Sequence, residues 1–229
     1  MVGAMLCEVE GVLANTGPFR HAALLRALAE DGVEPVDAMA GFPNRTGDST
    51  RELVRRAVQN HALARDEIAI TLIAHRADRH FSSLVHAGLS LAPGAREMFA
   101  GAAASCRLAI VTGVDRATVD SLLALADLDG AFEIIVAAED VASAKPAPDG
   151  HRKALERLRR RRPLDPRTAI ALEASVVGAR AARAAGLPCV VVAPLGAPQH
   201  IVEADAMIPS LIGQTPATLL AMLSLQAAG

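Results

Sequence analysis

The sequence predicts an α/β fold, a parallel sheet covered by helices, with a helical cap inserted after the first strand. Three observations carry this. Six short apolar runs recur along 229 residues, helical patterns separate most of them, and one long stretch, from about Pro18 to His86, holds helical patterns alone. Runs this short and continuous suit strands buried on both faces, and their alternation with helices suits a parallel sheet.

The elements follow in chain order. Ala4 to Val9 is the first strand. Asn15 to Pro18 and Gly88 to Gly94, rich in turn residues, lead into and out of the insert, where helices are expected over Arg20 to Glu30, Thr50 to Gln59 and Asp66 to Val85. Strands are then expected at Arg107 to Thr112, Glu133 to Ala137, Thr168 to Leu172, Cys189 to Ala193 and Ala206 to Ile208. Pro148-Asp149 opens a helix through Arg157, and Ser175 caps one that ends at Gly186. The expected division is a core of residues 1–16 and 89–229 with a cap of residues 17–88.

Composition narrows the function. A hydrophobic share of 52% with 229 residues supports a sizeable core. A net charge of -2 and 2% aromatic residues, with neither Trp nor Tyr, argue against nucleic acid. No apolar run reaches the roughly 18 residues of a membrane span, and Glu8 and Glu10 interrupt the only leader-like start. Cys7, Cys106 and Cys189 are odd in number and widely spaced, which suits neither a disulfide framework nor a metal knuckle; a cytoplasmic protein is expected. Five Arg residues between Arg157 and Arg162 read as a solvated helix end rather than a polyanion site, since cations favour the negative end of the macrodipole.

In an open parallel sheet, residues just past the carboxyl ends of the strands face the ligand crevice. That rule selects Glu8, Glu10, Thr112, Gly113, Ala144, Lys145 and Glu173 to Ser175. A carboxylate can act as nucleophile or metal ligand, and a second acid two residues on can exchange protons with a substrate oxygen. A hydroxyl and an ammonium suit phosphate oxygens, and Mg²⁺ is held by one or two carboxylates with phosphate and water. Together these residues describe phosphoryl transfer.

Glu8-Val9-Glu10-Gly11-Val12-Leu13, Ile110-Val111-Thr112-Gly113, Lys145-Pro146-Ala147-Pro148-Asp149 and Leu172-Glu173-Ala174-Ser175-Val176-Val177-Gly178 resemble, in order, the four motifs of the haloacid dehalogenase superfamily. Within it the likeness is to the capped branch of phosphoglycolate phosphatase-like and β-phosphoglucomutase-like proteins, and it covers nearly the whole chain, including Gly41-Phe42-Pro43-Asn44-Arg45 in the insert. The resemblance implies a Rossmann-like three-layer core and a Mg²⁺ cofactor. It further implies Glu8 as nucleophile, Glu10 as general acid and base, and Thr112 and Lys145 as holders of the phosphoryl oxygens. Glu8, Glu10 and Glu173 would form the metal shell, and Gly113, Arg45 and His21 would meet the substrate. The implied partner is a small phosphorylated metabolite, for a monomer or homodimer.

Three positions depart from that pattern. The first motif of the family carries aspartates where this chain has Glu8 and Glu10, and Ala174 replaces an acid that binds the metal. An added methylene moves a carboxylate by about one bond, and a misplacement near 1 Å can cost on the order of 10²-fold in rate. A weakened Mg²⁺ site is expected at Ala174. Two readings follow: a phosphomonoester hydrolase with impaired turnover, or a non-catalytic binder of a phosphorylated metabolite or protein partner. Metal-independent dehalogenation would explain Ala174 but not Glu10-Gly11-Val12-Leu13 or the insert.

Overall fold

The computed structural model describes residues 1–33, 49–60, 65–88, 90–193 and 201–226. Six parallel strands form one sheet: β1 (Ala4–Cys7), β2 (Arg107–Val111), β3 (Ile134–Val136), β4 (Ala169–Glu173), β5 (Cys189–Val192) and β6 (Ala206–Ile208). Their order is β3-β2-β1-β4-β5-β6, so the chain winds outward from β1 in one direction and then, from β4, in the other. The reversal opens a crevice at the carboxyl ends of β1 and β4.

Side chains alternate across this sheet as the strand period requires. Met5, Leu108, Ile110, Ile170, Leu172, Val190 and Val192 face one apolar cluster. Ala4, Leu6, Ala109, Val111, Ala169, Ala171, Cys189 and Val191 face the other. On the first face pack α4 (Ala95–Ala103), α5 (Arg116–Leu125) and α8 (Pro216–Gln226). On the second lie α6 (Asp149–Arg161) and α7 (Val176–Ala184), brought close by the small residues Ala154, Ala179 and Ala182. The result is the three-layer, Rossmann-like architecture expected.

The insert contributes α1 (Gly17–Glu30), α2 (Thr50–Asn60) and α3 (Glu67–Ala87). They share a cluster of their own, in which Leu24 and Leu28, Val54 and Val58, and Ile70 and Ile73 are buried. Helix α1 begins three residues before the expected Arg20, because Pro18 falls in its first turn, where a missing N–H costs nothing. Helix α3 starts at Glu67 with the carboxylate of Asp66 accepting from the Ala69 N–H at 2.8 Å. The expected strand limits differ from the observed ones by two residues at most. Among the described residues, no helix is long and apolar enough to cross a membrane.

Candidate active site

Glu8 and Glu10 lie just beyond β1, where the Glu8 N–H donates to the Leu172 carbonyl of β4 at 2.9 Å. The turn that follows needs Gly11, whose φ is 79°; a Cβ there would stand 2.6 Å from the Ala174 methyl. Ala174 therefore packs directly against the first-motif turn. Thr112 follows β2, and its hydroxyl accepts from the Val114 N–H at 3.2 Å. The cap of α5 is Asp115, whose carboxylate accepts from the Thr118 N–H at 2.9 Å.

Lys145 comes from the loop before α6, yet its side chain is only 7% exposed. Its ammonium donates to Glu8 Oε2 at 2.7 Å, to Glu173 Oε1 and Oε2 at 2.7 and 2.8 Å, and to the Val111 carbonyl at 3.1 Å. Burial works against its charge, but Glu173 and Glu8 outweigh burial and hold Lys145 above the usual lysine range. Glu173 mirrors it. Burial alone would raise its carboxyl, whereas Lys145 and then His151 bring it below the ordinary carboxylate value.

Three further residues, Thr16, Arg20 and His151, reach the cluster without having been site candidates in the sequence. Arg20, one helical turn after Thr16 on α1, forms a buried ion pair with Glu10 Oε2, while the Thr16 hydroxyl donates to Glu10 Oε1 at 3.0 Å. The signal was their i,i+4 spacing, which places both on one face of the helix. His151 of α6, fully buried, meets Glu173 Oε1 through Nε2 at 2.9 Å, and its Nδ1 has no partner. A carboxylate only accepts, so Nε2 carries the proton of this contact. His151 stands at the head of the buried series His151, Ala154, Leu155, Leu158, an i, i+3, i+4, i+7 pattern that its polarity interrupts.

The remaining candidates are distributed unevenly. His21 is half-buried on α1, beside the Arg20 that reaches Glu10. Arg45 lies outside the described residues. Gly113 lines a cavity of about 240 Å³ together with Thr112 and Lys145 of the core and with Ser49 and Arg51 of the insert. This cavity also takes in Ser143, and among the described residues its wall holds no carboxylate. Lys145 and Arg51, which donate to Glu173 and Glu67 at 2.7 Å, and three hydroxyl residues border a space of small-metabolite size.

The carboxylates do not fit a divalent cation well. Glu8 Oε1 is turned back onto the N–H groups of Val9 and Glu10, at 2.7 and 3.3 Å, and Oε2 is held by Lys145. Glu10 is held by Thr16 and Arg20, and Glu173 by Lys145 and His151. Every oxygen of the three acids thus accepts from a protein donor, and position 174 supplies a methyl. Among the described residues no three His, Cys, Asp or Glu side chains are grouped to hold a metal ion.

The comparisons with known proteins agree with the fold. The haloacid dehalogenase-like hydrolase family model matches residues 7–192. The plasmid phosphoglycolate phosphatase of Cupriavidus necator is 34% identical over 218 residues, 91% of this chain and 89% of its own. The crystal structure of CbbY from Rhodobacter sphaeroides in complex with phosphate has a TM-score of 0.80 at 28% identity, covering 98% of this chain and 100% of that one. A second structure, of a CbbY mutant from Rhodobacter sphaeroides in complex with xylulose-(1,5)-bisphosphate, has the same TM-score and identity and covers 97% and 99%. The chain belongs to the haloacid dehalogenase-like hydrolase family.

Proposed function

We propose that this chain binds a small phosphorylated metabolite in the crevice of Thr112, Gly113 and Lys145, with hydrolytic turnover impaired. The observation that carries the reading is the cavity of about 240 Å³, whose wall, among the described residues, takes in Lys145, Arg51, Thr112, Ser49 and Ser143 and no acid. Phosphate oxygens are met by cations and hydroxyl donors. Sugar phosphates of the kind bound by CbbY, and phosphoglycolate, are the ligands to try first. Arg45 would meet the distal part of such a ligand, and His21 would stand near it.

Hydrolysis in this scaffold asks the Glu8 carboxylate to form a bond to phosphorus while the ester P–O bond breaks, and Glu10 to give its proton to the leaving oxygen. Water then releases phosphate from the acyl-phosphate. Both acids are committed elsewhere. Glu8 folds back on its own backbone and on Lys145, a strong constraint on a nucleophile that needs a free, aligned oxygen. Burial raises the Glu10 carboxyl, as a general acid requires, but Arg20 opposes that by favouring the charged form. A resident Mg²⁺ would polarise the phosphoryl oxygens, and these occupied carboxylates give it little to hold.

Steady-state assays with 2-phosphoglycolate and xylulose 1,5-bisphosphate, beside calorimetric titrations of the same compounds, test the reading. Binding with near-background turnover is expected. Turnover in the usual enzymatic range, about 1–10³ s⁻¹, lost in Glu8→Gln, would refute the impairment; absence of binding would refute the ligand class.

A further inference from the structure

The acids of the crevice are held by donors from within the chain. Glu8, Glu10 and Glu173 are each only 0–2% exposed. Lys145 lies against two of them and Arg20 against the third, while His151 adds a hydrogen-bond donor to Glu173. A buried carboxylate with no such partner would shed its charge or recruit a cation. Here every carboxylate oxygen already accepts from a protein donor. The position where the resembled motif has a further acid, Ala174, is packed against Gly11.

We propose that Lys145 and Arg20 stand in for a divalent cation in this site, so that the crevice excludes the metal and takes phosphate anions without it. Lys145 is shared between the two tasks: it donates to Glu8 and Glu173 on one side and lines the cavity of Thr112 and Gly113 on the other. Arg20 belongs to the acid side alone, where its second amino group donates to the Thr50 hydroxyl at 3.2 Å, and that hydroxyl donates to Asp78 at 2.6 Å. The arrangement leaves no carboxylate oxygen without a protein donor for an exchangeable ion to take. The anion half of this proposal rests on the phosphate-binding reading above; the metal half does not.

The test uses the full-length protein and two probes, Mn²⁺ followed by electron paramagnetic resonance and inorganic phosphate followed by calorimetry. The parent is expected to bind no Mn²⁺ up to millimolar concentration, and its phosphate affinity to agree within about twofold in chelator and in excess Mg²⁺. Ala174→Asp, which adds an uncompensated carboxylate, is expected to gain Mn²⁺ binding. Lys145→Ala, which releases Glu8 and Glu173, is expected to gain it too, and to melt at a higher temperature when Mg²⁺ is added; if that variant does not fold, Ala174→Asp carries the comparison. Mn²⁺ binding by the parent that Glu173→Gln weakens about tenfold or more overturns the metal half. Phosphate affinity at least about tenfold higher with Mg²⁺ overturns the anion half. Phosphate that binds in neither medium, with Mn²⁺ excluded, overturns the function proposed above and the anion half with it.

Discussion

One methylene separates Glu8 from the aspartate of the resembled motif, and that length decides where its carboxylate rests. The longer side chain returns to the Val9 N–H at 2.7 Å and still reaches Lys145 at 2.7 Å. Glu173 completes the buried triad, and removing one partner of such a cluster typically costs about 3–5 kcal/mol. Glu173→Gln should therefore lose about that much stability at neutral pH. The sign with pH is fixed by the direction of the shift. Because the folded carboxyl lies below 4.5, its contribution is fully present above that pH and is lost as pH falls through the folded value. Lys145, held above 10.5, keeps its contribution throughout this range. Urea midpoints measured against pH should show the gap between parent and variant closing below about pH 4.5; a constant gap would contradict the assignment. Glu8, Thr112, Lys145 and Glu173 were legible from their places after apolar runs. His151 was not, because nothing in a helical pattern says that its buried face points at a carboxylate.

At the level of elements, the insert is tied to the core by a polar chain that is buried at Glu10 and Arg20 and partly buried beyond. Arg20 of α1 joins Glu10, beyond β1, to Thr50 of α2, and Thr50 reaches Asp78 of α3. Burial raises the Asp78 carboxyl, and the Thr50 hydroxyl bond works against that rise. Arg20→Met should cost about 3–5 kcal/mol, because it strands Glu10. Glu10→Gln should recover part of that loss, giving a coupling of about 0.5–3 kcal/mol in a double-mutant cycle. Additivity within about 0.5 kcal/mol would show that the pair is not coupled. The basic run from Arg157 has a local role at the opposite edge: Arg157 and Arg116 both donate to the Ile135 carbonyl of edge strand β3 and pair with Asp140. Such arginines blunt an exposed edge. The sequence shows the helix end but not the strand edge beside it, which depends on strand order.

For the whole molecule, winding outward from β1 in both directions gathers residues as distant as Glu8 and Glu173 into one crevice. Strand positions were readable because both faces of the sheet are buried, leaving unbroken apolar runs such as Cys189 to Val192. How the acids are committed was not readable, since it depends on Arg20 folding back from α1 and on His151 arriving from a helix far along the chain. The resulting picture is a complete scaffold whose acids are committed to internal cations. The most direct test compares turnover of the parent with that of Glu8→Asp, Glu10→Asp, Ala174→Asp combined, on 2-phosphoglycolate with Mg²⁺. Shorter first-motif acids and a new carboxylate should raise turnover by on the order of 10² or more; a parent already turning over at about 1–10³ s⁻¹ with no gain in the combined variant would contradict the account.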